Sequence, residues 1–115
     1  MAVSRMRRVN EVLREVIGEE LKELSDPGLS QVTVTAVDTS PDLRHAKVYF
    51  TVYGGEDDRE VALEALGRAH GSLQAAIGSE TRMKRTPTLR FLYDEAVETG
   101  LRIASLLDEG QETER

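Results

Sequence analysis

Ala62-Leu63-Glu64-Ala65-Leu66-Gly67-Arg68-Ala69-His70-Gly71-Ser72-Leu73-Gln74-Ala75-Ala76-Ile77-Gly78 opens the stretch whose reading decides the fold. It continues through Ser79-Glu80-Thr81-Arg82-Met83-Lys84-Arg85-Thr86-Pro87 into Thr88-Leu89-Arg90-Phe91-Leu92-Tyr93-Asp94. Apolar residues recur at helical spacing in the first part (Ala62, Ala65, Leu66, Ala69, Leu73, Ile77), so one face should pack on a core. Gly71 falls near the middle, where glycine costs about 1 kcal/mol relative to alanine. A kink, or a break into two helices, is expected there. In the last part Leu89, Phe91 and Tyr93 alternate with Thr88, Arg90 and Leu92, which reads as a strand. A basic connector holding Arg82, Lys84 and Arg85 and stopped by Pro87 joins the two.

Upstream, Gly54-Gly55 ends a strand and Glu56, Asp57 and Asp58 match the positive end of the helix that follows. Ala46, Val48, Phe50 and Val52 alternate with Lys47, Tyr49, Thr51 and Tyr53. The segment from Gln31 to Thr39 also alternates, Val32, Val34 and Ala36 against Thr33, Thr35 and Val37. Joined by the turn residues Thr39-Ser40-Pro41-Asp42-Leu43-Arg44, these two segments predict an antiparallel hairpin. Before it, Ser4 can cap a helix whose stripe is Met6, Val9, Leu13, Val16, Ile17, Leu21 and Leu24. Ser25-Asp26-Pro27-Gly28 ends that helix. Downstream, Ala96 to Leu107 predicts a short, weakly patterned helix. The expected order is helix, strand, strand, helix-kink-helix, strand, short helix, an α+β sandwich with helices on one face of a three-stranded sheet. One domain over residues 1–108 and a flexible acidic tail over 109–115 account for the whole length.

A chain of 115 residues has room for one modest core. With 4% aromatics and no tryptophan, that core must be mainly Val, Leu, Ile and Ala. No apolar run approaches the roughly 20 residues needed to cross a bilayer. The N-terminal arginines lack a following apolar segment, so no signal peptide is expected. Without cysteine there are no disulfides or thiolate metal sites, which suits a reducing cytosol. The net charge of −6 is unevenly spread. Residues 1–14 carry four arginines against Glu11, and residues 82–90 carry four cations and no acid. Such asymmetry fits a local basic face on an acidic protein, and equally ordinary surface variation.

No catalytic constellation is visible. His45 and His70 have no metal-ligand spacing, and phosphate loops, dinucleotide fingerprints and nucleophile elbows are absent. The sequence therefore predicts a protein that is not an enzyme and uses no cofactor or small-molecule substrate. In KH domains a G-x-x-G loop between two helices clamps a nucleotide backbone. The corresponding joint here reads Ala69-His70-Gly71, preceded by Arg68 and followed beyond the second helix by Arg82, Lys84 and Arg85.

Arg5-Met6-Arg7-Arg8-Val9-Asn10-Glu11 with Asp26-Pro27, Ala69-His70-Gly71, and Thr86-Pro87-Thr88-Leu89-Arg90-Phe91-Leu92-Tyr93-Asp94 together resemble the ribosome-binding factor A family. Ala69-His70-Gly71 is similar to its Ala-x-Gly interhelical kink, and the last stretch to its Pro-x-Leu-x-Phe-x-x-Asp strand. The resemblance implies a type II KH-like fold with the kink in place of the G-x-x-G loop. It implies a monomeric cytoplasmic assembly factor, linked to cold adaptation, that binds the small (30S) ribosomal subunit and promotes maturation of 16S rRNA. Candidate RNA-binding residues are Arg5, Arg7, Arg8, Arg68, Ala69, His70, Gly71, Arg82, Lys84, Arg85 and Arg90. The acidic run from Asp108 to Glu114 departs from a family often basic there. The alternative is a KH-like protein-interaction module with no direct RNA contact, which acidic net charge and scarce aromatics favour.

Overall fold

The computed structural model describes residues 4–96; the expected helix from Ala96 to Leu107, apart from Ala96 itself, and the acidic tail lie outside them. Helix α1 spans Arg5–Glu23 and starts as its sequence dictates, with the Arg7 N–H donating to the Ser4 hydroxyl at 3.1 Å. Leu13, Ile17 and Leu21 are its buried stripe. The chain leaves the helix through an extended Leu24 and Asp26, as a residue before proline prefers, into a short 3-10 turn at Pro27–Leu29. Gly28 sits so close to the second helix that a Cβ there would stand 2.7 Å from the Ala65 Cβ.

Strands β1 (Val32–Thr39) and β2 (His45–Val52) form the expected antiparallel hairpin. Helix α2 (Glu56–Glu80) then crosses over, and β3 (Thr88–Tyr93) returns parallel to β2, giving the sheet order β1-β2-β3. The sharp turn into α2 needs Gly54, whose φ is +133°. The Gly55 N–H donates to the Asp58 carboxylate at 2.8 Å, fixing the first turn of the helix. Both helices lie on one sheet face. Between them and the sheet, Leu13, Ile17, Val48, Phe50, Leu66, Leu73 and Ile77 are almost wholly withdrawn from water, each contributing roughly 1.5–3 kcal/mol by burial. This is the two-layer α+β, KH-like arrangement predicted from the sequence.

Two details differ. First, α2 does not divide at Gly71: one helix runs from Glu56 to Glu80. The buried residues on either side, Leu66 and Ala69 before and Leu73 and Ile77 after, share one stripe against one core. Gly71 is exposed and does not interrupt that stripe, and nothing lies within 4 Å of where its Cβ would be. The propensity cost of about 1 kcal/mol is small beside the packing of both halves. Second, β1 changes phase. A bulge between Val34 and Ala36 lets Thr35 slip, so Val34, Val37 and Thr39 face the core while Ala36 is exposed. The Thr35 hydroxyl donates to the Tyr49 carbonyl and to the Asp94 carboxylate, holding the bulge against the end of β3.

Candidate nucleic-acid interface

The parallel register pairs His45 with Thr88, so the hairpin loop meets the exit of the connector. The Thr88 N–H donates to the Arg44 carbonyl at 2.8 Å. The connector is fixed at several further points. Gln74 on α2 donates to the Pro87 carbonyl at 3.0 Å, the Thr81 hydroxyl donates to the Ile77 carbonyl at 2.7 Å, and Met83 packs against the core. Asn10 of α1 accepts from the Thr39 N–H at 2.8 Å, which brings the start of that helix to the same end of the molecule. Three segments far apart in sequence thus enclose a cleft of about 710 Å³ lined by Arg5, Met6, Val9, Pro41, Asp42, Leu43, Arg44, Arg82, Met83, Lys84 and Arg85.

Five cations and one carboxylate line this cleft. Asp42 is engaged by its own turn: the Ser40 hydroxyl donates to it at 2.6 Å and the Arg44 backbone N–H at 3.0 Å. Those bonds, the hydroxyl first, hold its carboxyl below the ordinary aspartate value of 3.8. Among the described residues, no carboxylate lies within salt-bridge distance of Arg5, Arg44, Arg82, Lys84 or Arg85. All five are exposed. Like charges held together without internal partners raise the local potential and attract an anion.

Of the residues singled out from sequence, the cleft gathers Arg5, Arg82, Lys84 and Arg85. Arg7 lines a neighbouring cleft with Asn10, Arg14 and Thr35, and Arg8 is exposed beside them on α1. Arg90 stands on the open sheet face, in register with Lys47 and, beyond it, Asp38. The residues of the α2 joint lie outside the cleft, and Arg68, Ala69 and His70 have partners within the fold. Arg68 grips Asp26 through both oxygens, at 2.9 Å from Nε and 3.1 Å from Nη2, and lowers that carboxyl's pKa. Ala69 is buried. His70 Nε2 accepts from the Leu89 N–H at 3.0 Å and stands edge-on to Phe91, so it satisfies an N–H of the edge strand β3. Arg44 is the cation that sequence reasoning missed. Its place at the hairpin tip marked a turn, and only the β2–β3 register brings it to the connector.

A family model described as ribosome-binding factor A matches residues 5–107. The chain belongs to the ribosome-binding factor A family. A relative in Rubrobacter xylanophilus, itself a ribosome-binding factor A, is 46% identical over 110 residues, which are 95% of this chain and 89% of that one. The crystal structure of ribosome-binding factor A from Thermus thermophilus superposes with a TM-score of 0.70 at 38% identity, covering 76% of this chain and 93% of that one. A homology model of the Thermus thermophilus protein, fitted into the cryo-electron-microscopy map of a 30S complex, matches with a TM-score of 0.63 at 40% identity. It covers 75% of this chain and 91% of that one. The chain is acidic overall, with a net charge of −6, and five of its 15 lysines and arginines line the cleft.

Proposed function

We propose that this protein is an assembly factor that binds the small (30S) ribosomal subunit and promotes maturation of 16S rRNA, acting as a monomer in the cytoplasm without catalysing a reaction. The observation that carries the reading is the cleft in which Arg5, Arg44, Arg82, Lys84 and Arg85 converge with no carboxylate within salt-bridge distance among the described residues. Guanidinium and ammonium groups in that arrangement suit the phosphates of a nucleic-acid backbone, whose binding releases counterions. Family membership and the fitted 30S complex of the Thermus thermophilus relative support the destination. The remaining parts contribute stiffness: a connector pinned at both ends presents its charges without first having to be ordered. A role in cold adaptation belongs to the same reading.

The test is genetic and biochemical. In cells whose only copy carries Lys84→Glu with Arg85→Glu, small-subunit precursors with unprocessed 16S rRNA should accumulate although the variant is folded and present at the ordinary level. Normal 16S rRNA maturation in those cells would overturn the reading.

A further inference from the structure

The cleft has an apolar interior that phosphate binding does not require. Val9 and Met83 line it and pack against the core. Met6, Pro41 and Leu43 line it too, and neither Met6 nor Leu43 belongs to the core cluster or to the residues packed on it. Leu43 is also the one non-glycine residue among the described residues with positive φ, at 62°. A side chain with a Cβ pays a steric cost in that left-handed region, and glycine or asparagine is the ordinary occupant of such a turn position. The conformation is held by the Leu43 N–H donating to the Ser40 carbonyl at 2.8 Å. An apolar side chain is therefore kept where local sterics oppose it, half-buried in a cleft rimmed by cations. Backbone strain of this kind gathers at ligand sites.

We infer that the cleft accepts an unstacked base of single-stranded RNA, seated between Leu43, Met6 and Met83, while the surrounding cations hold the phosphates on either side. The inference rests on the RNA-binding reading above and deepens it. Every base has an apolar face that can rest against aliphatic and thioether side chains. In a duplex that face is covered by its neighbours, so the cleft selects single strands. Charge favours an RNA occupant over an apolar protein side chain, which would leave five cations without a partner.

Three RNA probes test this with the full chain at one fixed salt concentration: a single strand of about ten nucleotides, a duplex of the same length, and a single strand with every base removed. The single strand should bind about two- to tenfold more tightly than its abasic counterpart, the range expected where a base rests on thioether and aliphatic side chains and not on an aromatic ring. The duplex should resemble the abasic strand. Leu43→Asn should abolish the preference, leave abasic binding unchanged, and keep or raise the melting temperature, since asparagine tolerates the left-handed region. Equal, salt-sensitive binding of all three probes overturns this inference and leaves the RNA-binding reading intact. Failure of all three to bind overturns both. A lowered melting temperature in Leu43→Asn, with losses on every probe, makes Leu43 structural and also overturns the inference. If Leu43→Asn weakens small-subunit binding while no probe distinguishes bases, the occupant is a protein side chain and the base assignment fails.

Discussion

Two groups of cations on this molecule have opposite fates. Arg14, Lys22 and Arg68 each have a carboxylate from the chain itself: Glu11, Glu19 and Asp26. Arg5, Arg44, Arg82, Lys84 and Arg85 have none within salt-bridge distance among the described residues, although the protein carries 21 acids against 15 lysines and arginines. Arg68 stands far from the connector along α2: from Arg68 to its end at Glu80 the helix rises roughly 18 Å at about 1.5 Å per residue. At the Asp26 end an arginine ties α2 to the 3-10 turn, and its charge is answered internally. At the connector end, charges are brought together and left for something outside. Overall charge therefore says little about what such a protein binds; the distribution of unanswered charge says more.

The contrast predicts that reversing charges at the two ends affects different measurements. Lys84→Glu with Arg85→Glu should weaken small-subunit binding by roughly a hundredfold, about tenfold for each contact turned into repulsion. Its melting temperature should be nearly that of the parent, because these side chains hold no structural partner. Gly28→Ala should act the other way. The new methyl meets Ala65 at 2.7 Å and the Val61 carbonyl at 3.3 Å, an overpacking that costs about 1–3 kcal/mol. Thermal melting would register a fall of about 4–8 °C per kcal/mol, with affinity well below the melting point unchanged.

Loss of the His70 acceptor should also cost about 1–3 kcal/mol, since His70→Ala leaves the N–H of buried Leu89 unpaired. Gly71→Ala should be gentler and opposite in sign, adding about 1 kcal/mol because the site is helical, exposed and open. A lower melting temperature for that variant would show that α2 needs a bend at Gly71. The smallest effect belongs to the Asp26 end. The Arg68 guanidinium first, and the Gly28 N–H second, hold the Asp26 carboxyl below its ordinary value of 3.8. A lowered folded-state pKa contributes stability that is present above the ordinary value and lost as pH falls through the folded one. Arg68→Gln should therefore soften the loss of stability below about pH 4, while changing the melting temperature at neutral pH by at most a few degrees, as exposed ion pairs do.

Periodicity made most of the scaffold legible. The stripe of α1, the Ser4 cap, the hairpin and the crossover to β3 all follow from residues at helical or alternating spacing. The phase change in β1 was hidden because Val32-Thr33-Val34-Thr35-Ala36-Val37 offers β-branched residues to both faces. The bulge depends on Thr35 finding Tyr49 and Asp94 far along the chain. The site was half legible. Arg82, Lys84 and Arg85 stand out as a run, but whether a given arginine is answered depends on folded neighbours. Arg68 looked as available as the others until Asp26, 42 residues away, closed on it. Arg44 looked like part of a turn until β3 docked in register beside it. His70 looked like a lone histidine, and its purpose lies in an edge-strand N–H that only the sheet order creates.

The most direct measurement is the salt dependence of binding to purified small subunits, for the parent and for Arg82→Gln with Lys84→Gln and Arg85→Gln. If the cleft cations contact phosphates, the logarithm of the parent's affinity should fall steeply and linearly with the logarithm of salt concentration. The triple variant should bind more weakly and lose about three from that slope, about one for each phosphate contact removed. An unchanged slope and affinity in the triple variant would contradict the claim that the unanswered cations of the cleft are what hold the ribosome.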